Sequence, residues 1–192
     1  GAAGDDTYVV SNASTTVTES SSSGTDLIEA SVSFTAADNV ENLTLTGSGD
    51  INATGNALDN TLTGNSGDNS IDGSSGDDTL IGGAGDDTYV VDSTSDVVTE
   101  SSSEGTDLIQ TSVDFTIASN VENIEITGAT ARTATGNSGN NTLTGNDAAS
   151  TLVGAAGDDT YVVSNASTTV TESSSSGTDL IEASVSFTAA DN

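Results

Sequence analysis

The chain has 192 residues, with 30 acidic side chains against a single basic one, Arg132, for a net charge of −29. His, Cys, Met, Trp, Pro and Lys are absent. That excludes a disulfide frame, zinc, haem and iron–sulfur sites, a His-based triad, a lysine Schiff base and a P-loop lysine. With one cation the chain is no partner for nucleic acid or for an anionic membrane surface, and no apolar run is long enough for a membrane span. Hydrophobic residues make up 32% and aromatic ones 3%. A conventional core would need more, so folding requires either a regular architecture that packs small residues or a counter-ion.

Internal repeats supply the regular architecture. Residues 1–39 and 154–192 are identical at an offset of 153. A related copy starts at residue 82, where 27 of 39 positions match 1–39. The expected organisation is one continuous solenoid over 1–192, with repeat halves 1–81 and 82–153 and a partial third copy at 154–192. Neither end looks like a cap, so the expectation is an excerpt of a longer tandem array.

In chain order, the first regular run opens at Gly55. Nonapeptides follow as GNALDNTLT (55–63), GNSGDNSID (64–72), GSSGDDTLI (73–81) and GGAGDDTYV (82–90). A second run gives GNSGNNTLT (136–144), GNDAASTLV (145–153) and GAAGDDTYV (154–162). Position eight is always apolar: Leu62, Ile71, Leu80, Tyr89, Leu143, Leu152 and Tyr161, with Tyr8 in the first copy. Positions one to six are rich in Gly, Asn, Asp and Ser, which suit turns; positions seven to nine have strand character. One nonapeptide therefore makes a turn and a short strand, and two make a full coil. Stacked coils pair their strands in parallel, and position eight fills a thin core between two sheets. The spacers continue the pattern through Asp96 and Val98, then Asp107 and Ile109. SVDFTI (112–117) and VENIEITG (121–128) alternate like strands without a fixed coil register.

These nonapeptides resemble the G-G-x-G-x-D-x-U-x repeat of the RTX proteins of bacteria, and the spacers resemble those of large repetitive members. The resemblance implies an all-β parallel β-roll, right-handed, with Ca²⁺ bound in its turns. The residues point the same way. Position-six side chains two repeats apart face each other across one coil spacing, where two carboxylates repel unless a cation sits between them. Carboxylates with inward backbone carbonyls make an oxygen-only cage for a hard cation. The expected pairs are Asp6/Asp26, Asn60/Asp78, Asn69/Asp87, Asp78/Asp96, Asp87/Asp107, Asn141/Asp159 and Asp159/Asp179. The all-Asp pairs Asp78/Asp96 and Asp87/Asp107 should bind most fully, and Asn-containing ones less. Ser150 and its partner Thr168 are both non-acidic, as shared-ion pairing requires, so that position should hold no ion.

Position-five acids such as Asp59 and Asp77 should face water, and Arg132 should make one local ion pair. Glu41 and Glu122 fit either a surface charge or a spacer-turn ligand. No catalytic constellation stands apart from the repeats. The function expected is a calcium-stabilised structural module of a long secreted or surface protein, such as an adhesin stalk, matrix component or filament. Its partners would be calcium ions, neighbouring repeats and other copies in lateral or end-to-end association, without membrane insertion. The alternatives are a non-catalytic module of a secreted RTX enzyme or toxin, and an ice- or carbohydrate-binding face built on the Thr-Leu-Thr triplets.

Overall fold

The computed structural model describes residues 3–21, 24–172 and 177–189. It consists of two compact units, Gly1–Gly105 and Thr106–Asn192. Both are parallel β-solenoids, and the described residues contain no helix.

The first unit contains β1 (Thr7–Val10), β2 (Leu27–Ala30), β3 (Phe34–Thr35), β4 (Asn42–Leu45) and β5 (Ala53–Thr54). It continues with β6 (Thr61–Thr63), β7 (Ser70–Asp72), β8 (Thr79–Ile81), β9 (Thr88–Val91) and β10 (Val97–Thr99). One sheet runs β1-β2-β4-β6-β8-β10, and β3-β5-β7-β9 form the facing one. The second unit contains β11 (Leu108–Thr111), β12 (Phe115–Thr116), β13 (Asn123–Ile126), β14 (Thr133–Thr135) and β15 (Thr142–Thr144). After these come β16 (Thr151–Val153), β17 (Thr160–Val163), β18 (Thr169–Thr171) and β19 (Leu180–Ala183). Its sheets are β11-β13-β15-β17-β19 and β12-β14-β16-β18.

Each strand turns alternate residues inward, so the short strands of the regular runs bury one side chain between two half-exposed ones. Leu62, Ile71, Leu80, Leu143 and Leu152, with Tyr89 and Tyr161, are all 0% exposed. They are the inward position-eight residues of both facing sheets in each unit, and Ile28 and Leu43 in the first unit, with Ile109 and Ile124 in the second, are their buried counterparts in the spacers. Tyr8 is the exception. It is only half-buried, because β1 is the terminal strand of its sheet and has a neighbour on one side alone.

The spacer coils differ in length from the regular coils built of two nonapeptides. In the regular run Leu62 pairs with Leu80 and Leu80 with Val98, a constant step. Before it, Tyr8 pairs with Ile28, Ile28 with Leu43 and Leu43 with Leu62. The first and third of these coils are longer than the regular one, and the second is shorter. The second unit repeats the short coil from Ile109 to Ile124 and the longer coil from there to Leu143. The short coils turn through Asn39 and Asn120, whose φ values of 65° and 66° place them in the left-handed region that asparagine tolerates.

Candidate metal centre

Position six lies immediately before each core strand, where the chain enters the sheet. In the first unit the backbone N–H of one such residue donates to the side chain of the next coil's counterpart. Asp6 N–H reaches Asp26 Oδ1 at 2.8 Å, and Asp26 N–H reaches Glu41 Oε2 at 2.8 Å. Asn60 donates to Asp78 at 2.7 Å, and Asp78 to Asp96 at 3.0 Å. Asp6, Asp26, Glu41, Asn60, Asp78 and Asp96 thus form one column. On the opposite edge Asn69 N–H donates to Asp87 Oδ1 at 2.7 Å. The second unit has the matching column. Asp107 donates to Glu122 at 2.9 Å, Asn141 to Asp159 at 2.7 Å, and Asp159 to Asp179 at 3.0 Å. Asp87 and Asp107, the remaining expected pair, belong to different units, and each is buried. Glu41 and Glu122 are therefore column members in the spacer turns rather than surface charges.

Position-six acids are unusual in their burial. Asp26 is 0% exposed, and Asp78 and Asp159 are 1%. One carboxylate oxygen of each takes a backbone N–H, while Oδ2 of Asp6, Asp26, Asp78 and Asp159 is buried with no hydrogen-bond partner. An anion so placed is costly, and the charged form is disfavoured. Burial pushes Asp78 up to about 6, with Asp96 adding to the effect against the N–H of Asn60. Asp159 is likewise raised to about 6, chiefly by burial, with Glu172 and Asp179 contributing. Position-five acids behave differently. Asp59 and Asp68 are exposed, and each accepts an N–H from the following coil, Asp77 at 2.9 Å and Asp86 at 2.8 Å.

The turns fall into two classes. In those beginning Gly-Asn, the position-two amide closes the turn. Asn56 Nδ2 donates to the carbonyls of Ala37 and Val40, both at 2.7 Å, and its Oδ1 accepts Leu58 N–H. Asn137 repeats this with Ala118, Val121 and Gly139. Here the position-six asparagines are also engaged at both ends. Asn60 Oδ1 accepts Asn56 N–H, and its Nδ2 donates to the carbonyls of Val40 and Glu41. Asn69 and Asn141 are held in the same way. Turns carrying Gly-Asp-Asp lack the amide lock. They instead take positive φ at positions two and four, as at Ser74 (64°) with Gly76 (142°) and Ala155 (77°) with Gly157 (113°). Protein donors thus close the first class, whereas in the second Oδ2 of Asp78 and of Asp159 has none.

Three acids come together where a tyrosine occupies position eight. In the first unit Asp6, Glu19 and Asp26 bring carboxylate oxygens within 4.8 Å of one another, and in the second Asp159, Glu172 and Asp179 do so. Tyr8 O–H donates to Glu19 and Tyr161 O–H to Glu172. Tyr89 and Glu100 make the same bond beside Asp87. The bond to Glu19, with burial, raises the Tyr8 hydroxyl to about 12. These glutamates were not among the expected ligands. The available signal was the Thr-Glu pair whose glutamate follows each tyrosine by 11 residues, a spacing that crosses a coil and fits no nonapeptide frame.

On one edge of the second unit the position-six column itself carries no acid. Arg132 N–H donates to Ser150 Oγ at 3.4 Å, and Thr168, one coil beyond Ser150, is buried with Oγ1 lacking a hydrogen-bond partner. The only cationic side chain of the sequence therefore belongs to the neutral column. Its Nε donates to the Ser112 carbonyl at 2.8 Å, a backbone contact where an ion pair was expected.

A four-copy family model of the RTX calcium-binding nonapeptide repeat matches residues 54–89 and 135–165, about a third of the chain. Those two runs are RTX-type nonapeptide repeats, and they fold as a parallel β-roll. The match falls on the two runs of regular nonapeptides, and most of the spacer sequence lies outside it. RTX repeats bind Ca²⁺, and the donor set fits that ion, being oxygen-only, anionic and short of protein hydrogen-bond donors. No curated protein and no solved structure matches the chain. Among the described residues no helix is long and apolar enough to cross a membrane.

Proposed function

We propose that this RTX segment is a calcium-stabilised structural module of a long secreted or cell-surface protein, non-catalytic in itself. The ligand set comprises the acids Asp6, Asp26, Asp78, Asp87, Asp96, Asp107, Asp159 and Asp179. Asn60, Asn69 and Asn141 supply neutral oxygen at most, since their amides are spent within the protein. The observation that carries the reading is the set of buried aspartate oxygens without a donor, in a sequence with one cationic side chain. Calcium would supply the missing charge and would do so only in the stacked state, coupling its binding to folding. Copies of the module would then set on reaching calcium, which suits a stalk, matrix component or filament outside the cell. Lateral or end-to-end association of copies belongs to the same reading.

A calcium titration of folding tests this. The expected midpoint lies on the order of 10⁻⁴ to 10⁻³ M, the range of extracellular calcium modules. A midpoint below about 10⁻⁶ M, where cytosolic sensors and buffers work, would mean that the chain folds before export, against the proposal.

A further inference from the structure

We infer that the tyrosine-capped clusters are a second class of calcium site, stronger than the position-six pairs, in which a spacer glutamate is the third anionic ligand. This rests on the calcium reading above and adds residues outside the repeat motif. Each site combines the position-six aspartate just before the tyrosine, the aspartate of the next coil and the glutamate that the tyrosine hydroxyl holds. They are Asp6, Asp26 and Glu19 in the first unit, and Asp159, Asp179 and Glu172 in the second.

Two observations beyond the clustering of acids point to a ligand. Asp26 and Asp159 are 0% and 1% exposed, and the Oδ2 of each is buried with no hydrogen-bond partner. Asp159 Oδ2 is also aimed into the cluster. A Cβ placed on Gly154 would stand 2.3 Å from it, 2.3 Å from Glu172 Oε1 and 2.0 Å from the Tyr161 hydroxyl. All three oxygens therefore converge over one glycine, whose missing side chain leaves the space between them. The tyrosine hydroxyl fixes the glutamate rotamer, since Tyr161 donates to Glu172 as Tyr8 does to Glu19. Three carboxylates within 4.8 Å have no neighbouring cationic side chain, because Arg132, the only one in the chain, belongs to the neutral column. An oxygen-only trianionic set selects a hard cation, and ligand charge sets its affinity. The pairs beside these clusters offer two carboxylates, or one carboxylate and an engaged amide, so the tyrosine sites fill first.

The chain carries its own probe. It has three tyrosines and no tryptophan, and Tyr8, Tyr89 and Tyr161 all bond to a spacer glutamate. Terbium(III) replaces calcium at oxygen sites and is excited by a tyrosine only at close range, so tyrosine-sensitised emission reports these sites alone. Excitation of the intact chain at the tyrosine band should give terbium emission that saturates in the first part of a titration and is displaced by Ca²⁺. The triple variant Glu19→Gln/Glu100→Gln/Glu172→Gln should need roughly tenfold more terbium for half-saturation of that emission, while its calcium-induced circular dichroism persists. Unchanged half-saturation in a calcium-folded variant would overturn the inference. Should the variant not fold, the wild-type order decides, since emission that grows only after the other sites are full would also overturn it. A wild type whose circular dichroism ignores calcium, yet whose early emission is competed by calcium, would refute the proposed function and uphold this site.

Discussion

Glycine occupies position one of every nonapeptide, but the space above it is not the same in each. A Cβ added to Gly136 would lie 2.3 Å from the Gly154 carbonyl oxygen and 2.7 Å from Asn141 Oδ1. Neither neighbour has room to move. The Gly154 carbonyl is backbone, and Asn141 is pinned by Asn137 N–H and by the carbonyls of Val121 and Glu122. Gly145, one repeat on, has Ser150 at position six of its own repeat, and the coil stacked on it has Val163 where Gly136 meets Gly154. Its added Cβ would meet nothing nearer than Leu152 Cδ1 at 3.7 Å, ordinary contact, and its φ lies outside the left-handed region. Gly136→Ala should therefore cost about 1–3 kcal/mol as overpacking. Gly145→Ala should be neutral or stabilise by about 0.4–1 kcal/mol through the unfolded chain. For a unit of this size each kcal/mol moves the melting temperature by about 4–8 °C. Calcium-saturated thermal unfolding followed by circular dichroism should show Gly136→Ala melting clearly below wild type and Gly145→Ala at or above it. Equal losses in both variants would refute a steric origin for the position-one glycine.

Asn137→Ala should destabilise the calcium-loaded chain by about 1–3 kcal/mol, because it strips the donor from two carbonyls and the acceptor from Gly139 N–H; denaturant unfolding measures it. Thr168→Val should leave stability within about 0.5 kcal/mol of wild type or raise it, since the buried Oγ1 has no hydrogen bond to lose; the same unfolding experiment reads it, and a large loss would count against a vacant, neutral column. In calcium-free solution Asp78 and Asp159, raised from 3.8 to about 6, keep protons in the folded state that the unfolded chain has released. Stability of the calcium-free fold should thus rise as pH falls from about 6 to about 4, seen as a gain of β signal after calcium removal; loss of signal over that range would reverse the sign.

Which parts of this were legible in the sequence depends on the nonapeptide frame. Within it, Leu62, Ile71 and Leu80 announced the core, and Asp78 with Asp96 announced the stacked acids, because one period carries both. Outside it the frame gave no help. The irregular spacer coils are set by local turns such as those at Asn39 and Asn120, and their lengths follow from no period. Glu41 and Glu122 join the column only because those coils are short. Glu19 and Glu172 reach it from across a coil, guided by a tyrosine hydroxyl that reads as pure core in the sequence. The amide-locked and donor-poor turns look alike as strings of Gly, Asn and Asp. What separates them is whether position two is asparagine, as at Asn56 and Asn137, or a residue at positive φ, as at Ser74 and Ala155.

Calcium is the claim on which the rest depends, and far-UV circular dichroism of the chain in excess chelator, followed by calcium added back, tests it most directly. Without the ion the like charges and the donor-less carboxylates oppose stacking, while ordering costs roughly 1–2 kcal/mol per residue in backbone entropy. The expected result is a largely disordered spectrum in chelator and a β spectrum that returns when calcium is restored. A β spectrum unchanged in chelator at neutral pH would contradict it and would leave the solenoid standing on side-chain packing and inter-coil hydrogen bonds alone.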